Sequence, residues 1–339
     1  VAAMRAHSGC AALDIATQAL FEHRLAYLGG RVVHLGCCET KRCTGLTKIG
    51  PEFRNKIRPG LIERATQTHN RFGPWLNSFS SSLTVTQPAE RCAALREGVD
   101  RNEADPSEHF DDNGTAGDAG RFWDDYCNWT RISEYERFAF GSGVADVAAA
   151  LLRSDTIQLF HEHVLVKEPA APRHTPWHCD APYYFVDGPQ TVSLWIPLDP
   201  VPLESTLRLL RGSHLWDEAV HPVSWTTGGG FYGDDETTHS AGFQPAPDPD
   251  SEPDRFEILE WACQPGDVVA FHYRTVHGAR GSTGLRRAFS LRVVGDDARY
   301  VQRPGRTSPP FDGHNMVEGQ RLREDWFPML PLSRVAAAS

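Results

Sequence analysis

His178 and Asp180 stand two residues apart in the run Trp177-His178-Cys179-Asp180, and His277 follows roughly a hundred residues later. On an extended chain, residues two apart point to the same face. An imidazole and a carboxylate on one face, joined by a second imidazole from another strand, make a facial triad. Such a triad leaves coordination positions open and suits non-haem Fe(II), where substrate and O₂ can bind. The pair alone is a weak signal, since a surface His beside a surface Asp is commonplace. Its neighbours strengthen it: Trp177, Pro182, Tyr183 and Tyr184 would shape a partly dry pocket.

The residues after His277 suggest a second binding element. If Arg286 to Val294 is a strand, Arg286, Ala288, Ser290 and Arg292 share one face, and Arg287, Phe289, Leu291 and Val293 share the other. The first face sets two guanidinium groups and a hydroxyl in a row. Guanidinium forks bind carboxylates bidentately, so this face can grip a dicarboxylate. The competing reading is an ordinary solvent-exposed polar face.

Two further patterns compete for attention. His161, His163 and Glu168 resemble the His-x-His-x₄-Glu run of cupins, which would make a different metal triplet. The two histidines share a strand face, but Glu168 has the opposite parity and needs a turn at Pro169 to join them. Gly228, Gly230 and Gly233 have the spacing of a dinucleotide fingerprint but lack the strand before and the helix after, which reads as a loop.

The elements that would position these groups follow from periodicity. Pro88 opens a short helix with Cys92, Leu95 and Val99 on one side, and further helices fit Ser133–Phe140 and Val144–Leu152. The acidic stretch 102–120 reads as a loop. Strands fit Thr156–Lys167, Thr191–Leu198, Thr206–Leu210, Asp267–His272 and Arg287–Val294, separated by Gly- and Pro-containing turns. Many short strands with little helix between them indicate a mainly β sandwich or barrel with flanking helices. The Gly-, Asp- and Pro-rich insertion 226–255, with Tyr183, Tyr184 and Trp225, is a candidate cover for the site.

Composition bounds the rest. The 339 residues carry 34 Lys+Arg against 44 Asp+Glu, a net charge of −10, which argues against a nucleic-acid surface. No run of eighteen or more apolar residues is present, so no membrane span is expected. The 8 Cys are scattered, and reduced thiols in the cytoplasm are the simpler reading; the cluster Cys37, Cys38, Cys43 lacks a paired second half. No signal-peptide order is seen at the start, though the chain begins at Val1. Two parts are expected: an irregular segment 1–84 and a domain at 85–335. The oligomeric state is open.

Trp177-His178-Cys179-Asp180, Ser193 to Asp199, Arg211 to His214, Pro265 to His272, and His277 through Arg287-Ala288, in this order, resemble the phytanoyl-CoA dioxygenase family. The likeness runs from about Cys92 to about Leu332. It implies a double-stranded β-helix, or jelly roll, whose iron ligands are His178, Asp180 and His277. It implies Fe(II), 2-oxoglutarate and O₂ as cofactor and cosubstrates, and hydroxylation of a small molecule with release of succinate and CO₂. The family's arginine for the distal carboxylate falls on Arg286, with Ser290, Lys167 and Trp195 beside it. Strand parity also prefers Arg286. The His277-to-Arg286 gap is short for the family, so Arg287 stays the alternative. A non-catalytic ligand-binding jelly roll is the reading from a different class.

Overall fold

The computed structural model describes residues 87–225, 227–232 and 242–333, together with an antiparallel pair of short strands, Leu25–Leu28 and Arg31–His34. The cysteine cluster at 37, 38 and 43 and most of segment 1–84 lie outside these residues, as does part of the 226–255 insertion.

Three helices come first. Helix α1 (Ala89–Ala104) follows Pro88 and buries Cys92, Leu95 and Val99, the side its spacing predicts. Helix α2 is Ser133–Gly141, and α3, Val144–Leu152, starts after Gly143, whose φ of 75° turns the chain between them. The ten strands that matter here are β1 (Asp111–Asp112), β2 (Phe122–Tyr126), β3 (Gln158–Lys167), β4 (Thr175–His178) and β5 (Thr191–Pro197). They continue with β6 (Leu207–Leu210), β7 (Ile258–Glu260), β8 (Val269–Phe271), β9 (His277–Ala279) and β10 (Arg286–Val294).

They form two antiparallel sheets, one ordered β8-β5-β10-β3-β2-β1 and a smaller one ordered β7-β6-β9-β4. Because both faces of the larger sheet are covered, its central strands are buried along nearly their whole length. On the outer face, Phe289, Leu291 and Val293 join Val164, Val166, Val192, Leu194 and Ile196 against Leu95, Val99, Tyr135 and Phe138 of the helices. On the inner face, Trp195, Ala288, Val269 and Phe271 meet Leu207 and Leu209 of the smaller sheet. Two facing antiparallel sheets with helices outside constitute the double-stranded β-helix. The inner side is where the chemistry-bearing residues gather.

The structure revises several local expectations. Stretch 102–120 is not all loop: α1 runs on to Ala104, and β1 lies within it. Strand β2 carries no apolar alternation because Asp124 and Asp125 interrupt it. Both carboxylates are buried and bound, Asp125 by Asn102 and Ser107, Asp124 by Asn113 and His163. The strand expected over Asp267–His272 shortens to Val269–Phe271. Cys92, Cys127, Cys179 and Cys263 are free thiols.

Candidate metal centre and adjoining cavity

His178 ends β4 and His277 opens β9, and the antiparallel register sets them directly opposite. Their ring centroids are 4.2 Å apart. Asp180 joins them by a different route from the one its spacing suggests. The strand stops at His178, and Asp180 (φ −69°, ψ −38°) begins the short 3₁₀ turn Ala181–Tyr183. That turn, rather than strand alternation, brings its Oδ1 to 3.8 Å from His178 Nε2 and 3.7 Å from His277 Nε2. Among the described residues, these are the three side chains of ligating type within 4.8 Å of one another.

The remaining polar atoms of the trio are committed elsewhere. His178 Nδ1 lies 2.8 Å from the Pro176 carbonyl and His277 Nδ1 2.9 Å from the Thr275 carbonyl. A carbonyl only accepts, so each Nδ1 carries the proton and each Nε2 presents a lone pair. Asp180 Oδ2 accepts from Ser193 Oγ at 2.6 Å and lies 3.7 Å from Arg292 Nε, which leaves Oδ1 free. Burial, then the neighbouring His277, pushes the His178 imidazole down to about 3, and burial lowers His277 as well. Both rings are therefore neutral, the form that coordinates a metal. Burial works to raise Asp180, but the Arg292 guanidinium foremost, with the Ser193 hydrogen bond, holds the carboxyl below its usual range. Two neutral nitrogens and one carboxylate oxygen on a common side fit a divalent metal of the iron type.

The inner face of β10 gathers a second group. Arg286 pairs in register with Lys167, and Ser290 with Trp195. Arg286 is 3% and Lys167 0% exposed. Arg286 Nη1 donates to the Ser205 carbonyl at 2.7 Å, while its Nε and the Ser290 Oγ have no partner. Lys167 Nζ donates to the carbonyls of Arg173 and Arg280 at 2.7 and 2.9 Å. Burial, reinforced by Arg286, pushes the Lys167 amine down to about 5, and burial lowers Arg286 to about 10. Among the described residues neither has a carboxylate partner. A buried guanidinium with an unpartnered Nε–H, next to the unpartnered Ser290 hydroxyl, suits an anion. Arg287 faces the other way, its fork closed on Asp199 at 2.8 and 3.0 Å.

The cupin-like triplet does not assemble. His161 and His163 do share the inner face, but Glu168 lies past the end of β3 and accepts from the Arg121 amide at 3.0 Å. Pro169 does not fold it back. His163 Nε2 is instead 2.6 Å from Asp124 Oδ2.

A cavity of about 250 Å³ opens from His178 and Asp180 toward Asp111, Asp124 and His163. Trp225 lies edge-on to His178 at 4.9 Å and covers it. The Tyr183 hydroxyl donates to the Val223 carbonyl and accepts from the Val223 amide, at 2.7 and 2.8 Å, which ties this cover down. Tyr184 serves differently from a cover residue: its hydroxyl accepts from Arg292 Nε at 3.0 Å. Ser193 opens one of the runs that carry the family resemblance, but the sequence assigns no role to it or to the carboxylates Asp111 and Asp124. Ser193 was within reach, since it alternates with Trp195, whereas no pattern marks the aspartates.

Among the described residues, no helix is long and apolar enough to cross a membrane. The model of the family described as Phytanoyl-CoA dioxygenase (PhyH) matches residues 84–288. No curated sequence matches significantly. Among solved structures, the fold is similar to the non-haem α-ketoglutarate-dependent carbocyclase SnoK from nogalamycin biosynthesis, with 21% identity and a TM-score of 0.56 over 76% of this chain and 94% of that one. It is also similar to the epimerase SnoN in complex with Fe³⁺, α-ketoglutarate and nogalamycin RO, with 21% identity and a TM-score of 0.58 over 81% of this chain and 100% of that one.

Proposed function

The chain belongs to the phytanoyl-CoA dioxygenase family, and from that premise we propose that it is an Fe(II)- and 2-oxoglutarate-dependent oxygenase that hydroxylates a small organic molecule. His178, Asp180 and His277 hold the iron. Arg286, with Ser290, Lys167 and Trp195, holds the distal carboxylate of 2-oxoglutarate. The observation that carries the reading is the state of the trio: two Nε2 lone pairs and Asp180 Oδ1 converge while every other polar atom of the three is engaged.

When bound, iron(II) supplies the open positions at which 2-oxoglutarate and O₂ react, with succinate and CO₂ released. The chain's own part is orientation and exclusion of water. Pro176 and Thr275 fix the imidazole tautomers, Ser193 and Arg292 hold Asp180 to a single free oxygen, and Trp225 shields the His178 side. Buried Arg286 would gain an ionic partner from the cosubstrate, with the Lys167 amine beside it.

Thermal unfolding of the full chain with Fe(II), 2-oxoglutarate, both or neither tests the reading, alongside assay of O₂-dependent succinate release. Stabilisation that needs both, with succinate formed, is expected. Stabilisation by metal alone without succinate would favour a cupin-type enzyme, and no response to either would favour a binding module. A turnover product that gains no oxygen atom would set hydroxylation aside while keeping the oxygenase assignment.

A further inference from the structure

The cavity beside the candidate metal centre is lined by hydrogen-bond acceptors that the reading above does not use. His161 is 1% exposed, and its Nδ1 faces the Glu162 carbonyl at 3.1 Å. Its Nδ1 therefore carries the proton, and Nε2 is a bare acceptor. That Nε2 has no partner, and the ring lines the cavity.

Two carboxylates face the same space. Asp111 on β1 and Asp124 on β2 are directly opposite in the antiparallel register, and both line the cavity. Like charges in that relation repel. Asp124 is relieved by His163 and Asn113. Asp111, exposed at the mouth, has neither a hydrogen bond nor an ion pair among the described residues; burial followed by Asp124 raises its carboxyl, against the smaller opposing pull of Arg306 and His163. Arg306 lies over the Phe231 ring at 5.7 Å, and Arg292 is engaged with Asp180 and Tyr184. Aromatic rings complete the walls: Trp225 stacks on His163 at 6.3 Å, and Tyr126 is edge-on to His163 at 5.4 Å.

We propose that this cavity is the substrate pocket for a small molecule bearing a protonated amine, with Asp111 as the ammonium's counter-ion and His161 Nε2 as a second acceptor. The proposal rests on the oxygenase reading of the adjoining metal centre. The charges decide the class. A carboxylate-bearing ligand would add to the Asp111–Asp124 repulsion and a neutral alcohol would leave it standing, whereas an ammonium offsets it and gives hydrogen to acceptors that lack it.

Calorimetric titration of the full chain with benzylammonium, benzyl alcohol and benzoate tests this without metal or 2-oxoglutarate. Wild type, Asp111→Asn and the control Glu97→Gln, on the exposed side of α1, are compared. Benzylammonium is expected to bind about tenfold more tightly than benzyl alcohol, a preference lost in Asp111→Asn and kept in Glu97→Gln. Asp111 is exposed and its neutralisation removes a repulsion, so the variant is expected to fold. Equal or tighter binding of the alcohol or benzoate, a preference that survives Asp111→Asn, or no binding by any of the three would overturn the proposal. Failure to form succinate from 2-oxoglutarate with Fe(II) would instead remove the oxygenase reading and leave the amine preference standing.

Discussion

Two imidazoles whose Nδ1 protons are held by backbone carbonyls have one lone pair each to offer, and a carboxylate clamped at Oδ2 has one oxygen. Removing any of the three leaves too few donors for iron. His178→Ala and Asp180→Ala should therefore reduce O₂-dependent CO₂ release from labelled 2-oxoglutarate, assayed without substrate, to background, while His161→Ala, which removes no member of the trio, should retain it. Wild-type turnover in His178→Ala would sink the ligand assignment. The two arginines separate in the same way. Arg286 is buried without a carboxylate, whereas the Arg287 fork is filled by Asp199. Truncating one side of a buried charged contact costs about 2–5 kcal/mol, so Arg286→Ala should raise the KM for 2-oxoglutarate about thirtyfold or more. Arg287→Ala should leave KM within about twofold, losing a pairing with Asp199 instead. Equal KM effects would mean that the wrong strand face had been chosen. Strand parity preferred Arg286 while the short gap after His277 kept Arg287 open, and the two do lie on opposite faces of β10, because period-two alternation survives burial. It misjudged how Asp180 arrives, since a 3₁₀ turn after His178 leaves no mark in alternation.

Helix α1 crosses α2 at Gly98, where element-level packing reverses a local preference. In an isolated helix, Ala in place of Gly is favoured by about 1 kcal/mol. A Cβ on Gly98 would stand 2.6 Å from Tyr135 Cε1 and 3.1 Å from Glu134 Cβ. Tyr135 is fully buried, and its hydroxyl donates to Asn102 Oδ1 at 3.3 Å, so the ring has little room to give way. The clash should outweigh the propensity, and Gly98→Ala should lower stability by about 1–3 kcal/mol, read as an earlier urea midpoint. A later midpoint would show that the helices can separate at this point. The same contact explains why the helix was legible only in part. Cys92, Leu95 and Val99 announce its buried side, but the last turn continues that side with Asn102, whose amide donates to Asp125 at 2.7 Å. Apolar periodicity cannot register a buried amide. Strand β2 escaped for the same reason, with two buried aspartates at its centre.

Across the whole molecule, the interior holds several ionisable groups away from their ordinary charge states, and their opposing signs fix how stability depends on pH. Burial lowers His161, His178 and His277 below the ordinary 6.5, with His178 at about 3. The unfolded chain therefore binds more protons than the folded one as pH falls through 6.5, and stability is lost on the acid side. Lys167, lowered from 10.5 to about 5, acts in the same sense: between those values only the unfolded chain is protonated there, so stability rises with pH. Glu162 acts in the opposite sense. Burial raises it from 4.5 to about 8, so between those values the folded chain binds the extra proton and stability falls with rising pH. Below 6.5 the three histidines and Lys167 outnumber Glu162, while between 6.5 and about 8 Lys167 and Glu162 oppose one to one. Metal-free protein should thus show a urea midpoint that is nearly level from pH 8 to 6.5 and drops steeply below. Glu162→Gln keeps an oxygen to accept the Asn128 amide and removes only the opposing titration. Its midpoint should climb with pH across the level region, because Lys167 then acts unopposed. A midpoint that stays level in this variant would mean that Lys167 keeps its proton inside the fold, and a wild-type midpoint that already climbs would mean that Glu162 ionises normally there.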